Sequence, residues 1–347
     1  MEAGAGLVVV VGAGPAGATA AYILATKGRK VVLVDAPPKS SDRIEMLPPA
    51  AISAFTAAGL SYVLEDPSVT VPCLGIVRGP AARDRQDFIA QPGGRGLAAD
   101  RRSLDAALKS AAISAGAEPR CSRLVAVETT GSGITLVIAG ARGSARLLAS
   151  TVIDATGRAG AVCRRLGAKM TMWQRLTAER TRWAEPVGPW LSFSADNNGW
   201  NYAIAGPAGR VDAWRVSPAP SSPFVGVSRV DASSRLLEPA AGARWIAIGD
   251  ASTAFDPICC QGLAHAVSSA VVAAGVILEG GTVRAPAAIA YDAACRETAV
   301  RTEEGRRGIY ASMHLRQETD SPQGTRQMLA NERLPLTPER GPPHRHD

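Results

Sequence analysis

A chain of 347 residues, 46% hydrophobic and 20% charged, is long enough for two cores or for one large α/β body with an inserted lobe. That balance excludes a disordered, collagen-like or coiled-coil protein. The formal charge of +7 comes almost wholly from arginine and is spread along the chain, with no basic stretch interleaved with aromatics, so nucleic acid is not an expected partner. Six cysteines without CxxC or Cys/His spacing predict free thiols and no metal site. The longest apolar runs, Leu7–Val11 and Ala20–Ala25, are too short to cross a bilayer, and no Lys or Arg precedes the first. The expectation is a cytoplasmic protein with no membrane partner.

Residues 7–34 read as one βαβ unit: an apolar strand, a glycine turn, an Ala-rich helix from about Pro15 to Lys27, Gly28 as its stop, and the strand Val31–Val34. Both strands are apolar at every residue, the pattern of parallel strands covered on two faces, which places the first strand at the centre of a doubly wound sheet. Beyond Pro37, Pro38, Pro48 and Pro49, the stretch Ala50–Val63 reads as a helix and residues 64–99 as loop or irregular strand. A helix over Ser103–Gly116 leads into short β runs at Leu124–Glu128, Ile134–Ile138 and Ala145–Leu148, broken by glycines, which predicts a hairpin-rich insert. Thr151–Asp154 and Trp245–Gly249 read as buried strands and Gly262–Glu279 as a helix. Trp173, Trp183, Trp190, Trp200 and Trp214 fall among alternating β runs, as expected of a sheet lobe that presents aromatic surface to a substrate. From Ser321 onward the Pro, Arg and His content predicts a loose tail.

The strongest local signal is Gly12-Ala13-Gly14-Pro15-Ala16-Gly17 between a strand and a helix. Gly12 permits the turn, Gly14 the approach of a pyrophosphate, and Gly17 close helix–strand packing, while the helix N-terminus offers free N–H groups and positive dipole. Asp35 closes the second strand 18 residues after Gly17, where a carboxylate can accept both ribose hydroxyls of an adenosine. A 2′-phosphate would be repelled there, so NADP is not expected in this site. Asp250, after Gly249 at the end of a buried strand, can hold polyol hydroxyls, and the helix that starts near Gly262 aims its N-terminus at whatever lies beside it.

Together with Arg101 and Asp105, the IleAspAlaThrGlyArg turn at Ile153–Arg158, Gly249-Asp250-Ala251 and the run from Asp256 to Leu263, these motifs resemble the FAD-dependent monooxygenases of the para-hydroxybenzoate hydroxylase fold over roughly residues 5–310. Leu47-Pro48-Pro49 and Gly199-Trp200-Asn201-Tyr202 look most like the branch of tryptophan halogenases and of flavoproteins that hydroxylate tryptophan in precursors of tryptophylquinone cofactors. The resemblance implies an α/β fold: a three-layer FAD-binding Rossmann-like domain from residues 1–50, 98–165 and 241–300, with an inserted β-sheet substrate lobe from 51–97 and 166–240, then a C-terminal helix and tail over 301–347. It implies pyrophosphate contacts at Gly12, Gly14, Pro15, Ala16 and Gly17, adenosine ribose at Asp35, and flavin diphosphate or ring at Arg101. Ribitol falls to Gly249 and Asp250, and the isoalloxazine to Pro257, Gln261, Gly262 and Leu263. The implied reaction is hydroxylation of an aromatic small molecule or of a tryptophan in a precursor peptide or protein, through a flavin C4a hydroperoxide. Dioxygen is the co-substrate, and transient NAD(P)H or a separate flavin reductase is the electron source.

The pattern departs from both branches. No lysine lies between Lys39 and Lys109, and Tyr202 and Ala205 replace the second Trp and the Pro of the halogenase stretch, which counts against halogenation. Cys259 and Cys260 stand where small Ser or Gly residues are usual, and the segment before Trp245 is short. No side chain stands out as an indispensable acid or base. His265, Cys259 and Cys260 are the nearest candidates, each with a plain packing role as the simpler reading. Trp200 and Tyr202 are the substrate-lining candidates, with Arg43 and Glu45 as a loop pair able to touch flavin or substrate. The alternatives are a halogenase, a polyprenyl-type reductase, or a non-catalytic flavin-bound partner in precursor maturation.

Overall fold

The computed structural model describes residues 6–36, 42–78, 84–141, 143–181, 188–218 and 228–313. Trp183, Lys39 and the tail from Ser321 lie outside them. The helices are α1 (Pro15–Thr26), α2 (Pro49–Ala57), α3 (Arg101–Ser114), α4 (Gly262–Gly280) and α5 (Ala285–Ser312).

The body is organised around a six-stranded sheet in the order 241–242, 245–247, 151–154, 8–11, 31–35, 118–121, parallel except for the first pair. The alternation of a strand explains the all-apolar runs. Val8, Val10, Val31 and Leu33 face a core shared with α1 and α4, whereas Val9, Val11, Val32 and Val34 face the antiparallel strands Arg123–Thr130, Gly133–Gly140 and Gly143–Ala149. Each such valine, fully out of water, contributes about 1.5 kcal/mol or more. The second face is therefore covered by a β-meander instead of helices. This makes three layers with the first strand central, and corrects the doubly wound expectation.

The substrate lobe is a seven-stranded sheet in the order 229–231, 177–180, 211–217, 199–205, 190–196, 75–78, 84–87. Two stretches that the sequence pattern assigned to the lobe pack with the body instead. Ala51 and Phe55 of α2 share a core with Leu104 and Leu108 of α3 and with Leu263 and Val267 of α4. The strand Lys169–Gln174 pairs with Ser234–Glu238, which pairs in turn with Thr253–Ala254, and the first two carry Trp173 and Leu236 into the core of α1 and α4. Lobe and body are clasped by Asp212, buried on the lobe, which accepts from Ile44 N at 2.9 Å and from Arg180 Nε at 2.8 Å.

Local signals set several boundaries. The helix expected over 50–63 stops at Ala57, because Gly59 takes φ +73° and a 3-10 turn, Ser61–Glu65, follows. Residues 64–99, expected as loop or irregular strand, contain four short strands: Thr70–Cys73, Gly75–Arg78, Asp84–Asp87 and Gly96–Asp100. Asp100 caps α3, its carboxylate accepting from Ser103 N at 2.9 Å. α5 runs unbroken through residue 300, where the domain expectation placed a division. α4, with 19 residues and a mean hydropathy of 1.6, is long and apolar enough to cross a membrane by length and composition, contrary to the reading that no such run exists. It packs on α1 and α2 in the body, as a core helix does.

Asp154 ends the strand Thr151–Asp154 of the six-stranded sheet and holds the turn that follows it. Fully buried, it accepts from Thr156 N at 3.0 Å, Thr156 Oγ1 at 2.7 Å, and Val162 N and Cys163 N at 2.9 Å each. Asp154→Ala strands these donors, and urea denaturation should show a loss of roughly 3 kcal/mol or more.

Candidate active site

Two cavities meet at the C-terminal edge of the six-stranded sheet. The first, about 520 Å³, is lined by Gly12 to Ala16, Asp35, Thr156 and Gly157 among others. The second, about 810 Å³, runs under the lobe sheet past Phe193, Trp200, Tyr202 and Trp214. Arg43, Arg101, Asp250, Gly262 and Leu263 line both, so the two form one groove from the glycine turn to the lobe.

The glycines of the turn divide by what surrounds them. A Cβ on Gly12 would stand 2.2 Å from Ala155 O, and Gly12 takes φ +101°. A Cβ on Gly17 would stand 1.9 Å from Gly12 O. Neither can be anything larger, for reasons internal to the fold. Gly14 has nothing within 4 Å of its Cβ position and serves as the N-cap of α1 with no side-chain cap. α4 repeats this arrangement: its N-cap Gln261 makes no capping bond, and Gly262 also has nothing within 4 Å. Two helix N-termini, each fronted by an open glycine, thus face the same groove. Their unpaired N–H groups and positive dipole ends suit a diphosphate at α1 and the anionic pyrimidine edge of a reduced flavin at α4. The residues present fit FAD.

Asp35 stands at the far end of the first cavity. It accepts from Ala13 N at 3.3 Å and pairs with Lys109 Nζ at 2.9 Å, a lysine of α3 that the sequence pattern did not single out. Pro15 and Ala16 line the same cavity. Gly17 and Gly249 stand behind the wall: a Cβ on Gly249 would meet Ala16 Cβ at 2.9 Å, and its φ of +57° sets the turn that delivers Asp250. Asp250 reaches the shared stretch of the groove and lies 3.4 Å from Arg158 Nε.

Arg101 is buried between Glu45 at 2.7 Å and Asp105 at 3.2 Å. Burial pulls its guanidinium down, and the two carboxylates more than offset this, holding it above its ordinary value. Burial likewise lifts Glu45, but Arg101 and Arg43 outweigh it and the carboxylate is held below its usual range. Arg158 carries a pKa lowered by burial, which Asp250 and Asp231 only partly counter.

The candidate acids, bases and thiols separate clearly. His265 lines neither cavity: its ring stands edge-on to Phe255 at 5.0 Å, with Nε2 3.3 Å from Ser252 Oγ, and burial lowers its pKa. Cys259 and Cys260 do line the larger cavity beside Pro257 and Gln261, as unpaired thiols. Burial raises both, that of Cys260 to about 12, so neither is a thiolate at neutral pH. Trp200 and Tyr202 lie in the cavity wall, Trp200 stacked on Phe193 at 5.7 Å and 5.8 Å from Tyr202, so they are at once lobe core and lining. The position that sequence reasoning missed is Asp256. It is 2% exposed, lies in the wall of the larger cavity, and accepts from Ile258 N at 3.0 Å and from Tyr310 Oη of α5 at 2.7 Å. Burial raises its pKa to about 6. The Asp-Pro pair marks a turn in the sequence, but nothing local reveals that α5 returns to bury it.

Two outcomes follow from this geometry. Gly14→Ala should fold at the wild-type melting temperature yet bind FAD at least tenfold more weakly by flavin fluorescence titration, since its Cβ intrudes only on ligand space; Gly17→Ala should fail to fold stably. Asp256 favours the folded state fully below the ordinary carboxylate range and loses that contribution as pH rises through about 6. Asp256→Asn should therefore gain in melting temperature relative to wild type between ~pH 5 and ~pH 8 in a thermal series.

The sequence matches the family described as FAD binding domain over residues 7–222. No curated protein matches it. Among solved structures it is similar to p-nitrophenol 4-monooxygenase PnpA from Pseudomonas putida DLL-E4, with 18% identity over 93% of this chain and 92% of that one and a TM-score of 0.73. It is similar to the peptidyl tryptophan dihydroxylase QhpG, with 20% identity over 90% and 76% and a TM-score of 0.70. Flavin-dependent brominase Bmp2 aligns with 18% identity over 82% of each chain and a TM-score of 0.67. With its glycine turn, open helix N-termini and matched span in agreement, the chain belongs to the FAD-binding domain family, in the fold shared by flavin-dependent monooxygenases and halogenases.

Proposed function

We propose that this protein is an FAD-dependent monooxygenase that hydroxylates an aromatic ring, and that the ring belongs to a tryptophan in a peptide or protein precursor. The observation that carries the reading is the single groove joining the glycine turn to an aromatic-walled cavity, with the open N-terminus of α4 at the junction. Gly14 and α1 hold the diphosphate, Asp35 the adenosine ribose, Asp250 the ribitol, and Gly262 and Leu263 the ring system. When bound and reduced, FAD supplies two electrons to dioxygen, one oxygen atom going to the substrate and the other to water. The protein's share is to orient the aromatic ring against Phe193, Trp200 and Tyr202 and to exclude water from it.

Hydroxylation is favoured over halogenation by the lining: among the described residues no lysine lines either cavity. Gly131 and Gly133 sit at the hairpin between Arg123–Thr130 and Gly133–Gly140, so they form no second phosphate cradle ahead of a helix. Electrons are accordingly proposed to arrive from transient NAD(P)H or from a separate reductase. The peptidyl substrate is supported by the Gly199–Tyr202 stretch and by the likeness to QhpG.

The test is anaerobic reduction of the flavin-loaded protein, then air, with a tryptophan-containing precursor peptide or a simple phenol, in buffer with and without bromide. Expected is a product heavier by one oxygen (~16 Da) or two, dependent on dioxygen and indifferent to bromide. Brominated product, double-bond reduction without oxygen uptake, or tight peptide binding with no turnover would each replace this reading. Oxygenation of the phenol alone would retain the monooxygenase and discard the peptide.

A further inference from the structure

Among the carboxylates that line the larger cavity, Asp256 alone is buried, and the proposed flavin contacts do not use it. Asp256 sits in its wall behind Pro257, among the least exposed carboxylates of the described chain, and its two contacts leave each oxygen with a further lone pair. The surroundings are specific. From its own turn it faces the Ile258 N–H and the neutral thiols of Cys259 and Cys260. From α5 it faces the Tyr310 hydroxyl, the Arg306 guanidinium and the Glu303 carboxylate. Arg306 lies 4.8 Å over the Tyr310 ring and is bound to Glu303 at 2.6 Å, and Glu303 also accepts from Trp173 Nε1 at 3.1 Å. Tyr310 packs in the same cluster as Trp200 and Trp214, so this polar chain is braced against the aromatic wall on which the substrate ring is proposed to lie.

Hydroxylation of an aromatic ring replaces C–H by C–OH. Dioxygen and the reduced flavin provide the oxygen and the electrons, and one proton must leave the attacked carbon as the ring regains aromaticity. We propose that the Asp256 carboxylate is the catalytic residue that accepts this proton, and that Tyr310 is the positioning residue that orients the carboxylate toward the cavity. The ring C–H bond breaks, its electron pair returns to the ring, and the proton forms an O–H bond on Asp256. This role rests on the hydroxylation reading above. It gives a function to the C-terminal end of α5, which the glycine turn and the flavin contacts leave without one. The carboxyl is poised for the task near neutrality, because burial raises it to about 6 while the Ile258 and Tyr310 hydrogen bonds and Arg306 restrain the rise.

Two measurements on the flavin-loaded full chain test it. Infrared difference spectra of the substrate-free protein should show a protonated-carboxyl band that grows as pH falls through about 6 and is missing from Asp256→Asn. In Tyr310→Phe the band should persist to higher pH, because the lost hydrogen bond stabilised the ionised form. In turnover, product formation by the wild type should fall tenfold per pH unit below about 6. Asp256→Asn should be about 100-fold slower and lack that acid limb, and Tyr310→Phe should shift the limb upward with little change in KM. A band that survives in Asp256→Asn, or an acid limb unchanged by either variant, overturns the proposal. Should Asp256→Asn not fold, Tyr310→Phe alone decides, since an unmoved limb and band are incompatible with the pair. Loss of every oxygenated product from the wild type, with the infrared titration intact, would instead remove the hydroxylation reading and with it the proton's source.

Discussion

Everything at the site depends on how closely three chain segments approach at Ala155. Its carbonyl oxygen occupies the place a Gly12 side chain would need, 2.2 Å from that Cβ, and its methyl group lies 2.9 Å from the Cβ position of Gly17. Strand 8–11, helix α1 and the turn after strand 151–154 therefore meet with no side chain between them. This contact brings the N-terminus of α1 to the edge of the sheet with its amide groups unoccupied, and it leaves Gly14, by contrast, facing open space. Asp154, fully buried with four donors around its carboxylate, fixes the other half of the same corner. A ligand phosphate meets a preformed surface, so little ordering cost falls on binding.

A second organising element is the long helix α5. Its Tyr291 donates to Ala247 O in the central sheet at 2.7 Å, its Asp292 accepts from Ala240 N at 2.7 Å, and its Glu303 and Tyr310 reach Trp173 and Asp256. One helix thus joins the edge of the parallel sheet, the bridging three-stranded sheet and the floor of the larger cavity. Buried polar contacts of this kind contribute little net stability, yet a mispaired one is costly, so they enforce one arrangement over its competitors. The cavity wall inherits that uniqueness.

The motifs were legible where the chemistry is local. A glycine turn between two apolar strands, with an acid at the second strand's end, carries its own geometry within about thirty residues. The aromatic pair Trp200 and Tyr202 alternates on one strand and could be placed on one face before any fold was known. Lys109 escaped notice because its partner Asp35 is distant in sequence and lies on another element. Asp256 escaped because its burial depends on α5 returning from the far end of the described chain. The assignment of residues 51–97 to the lobe failed for α2 because contiguity in sequence says nothing about which layer an apolar helix joins; that is decided by the matching surfaces of α3 and α4.

Sequence alone determined the βαβ start, the central position of the first strand, the free thiols and the FAD-binding character of the chain, since each follows from backbone conformation or residue chemistry over short range. Tertiary structure decided that the sheet's second face is covered by a β-meander, that two open helix N-termini share one groove, and that His265 stands outside both cavities. It also decided that a buried carboxylate and a tyrosine from opposite ends of the fold's last third meet in the cavity wall. These outcomes rest on desolvation and on hydrogen bonds between residues far apart in the chain, and such free energies exist only once the layers have closed.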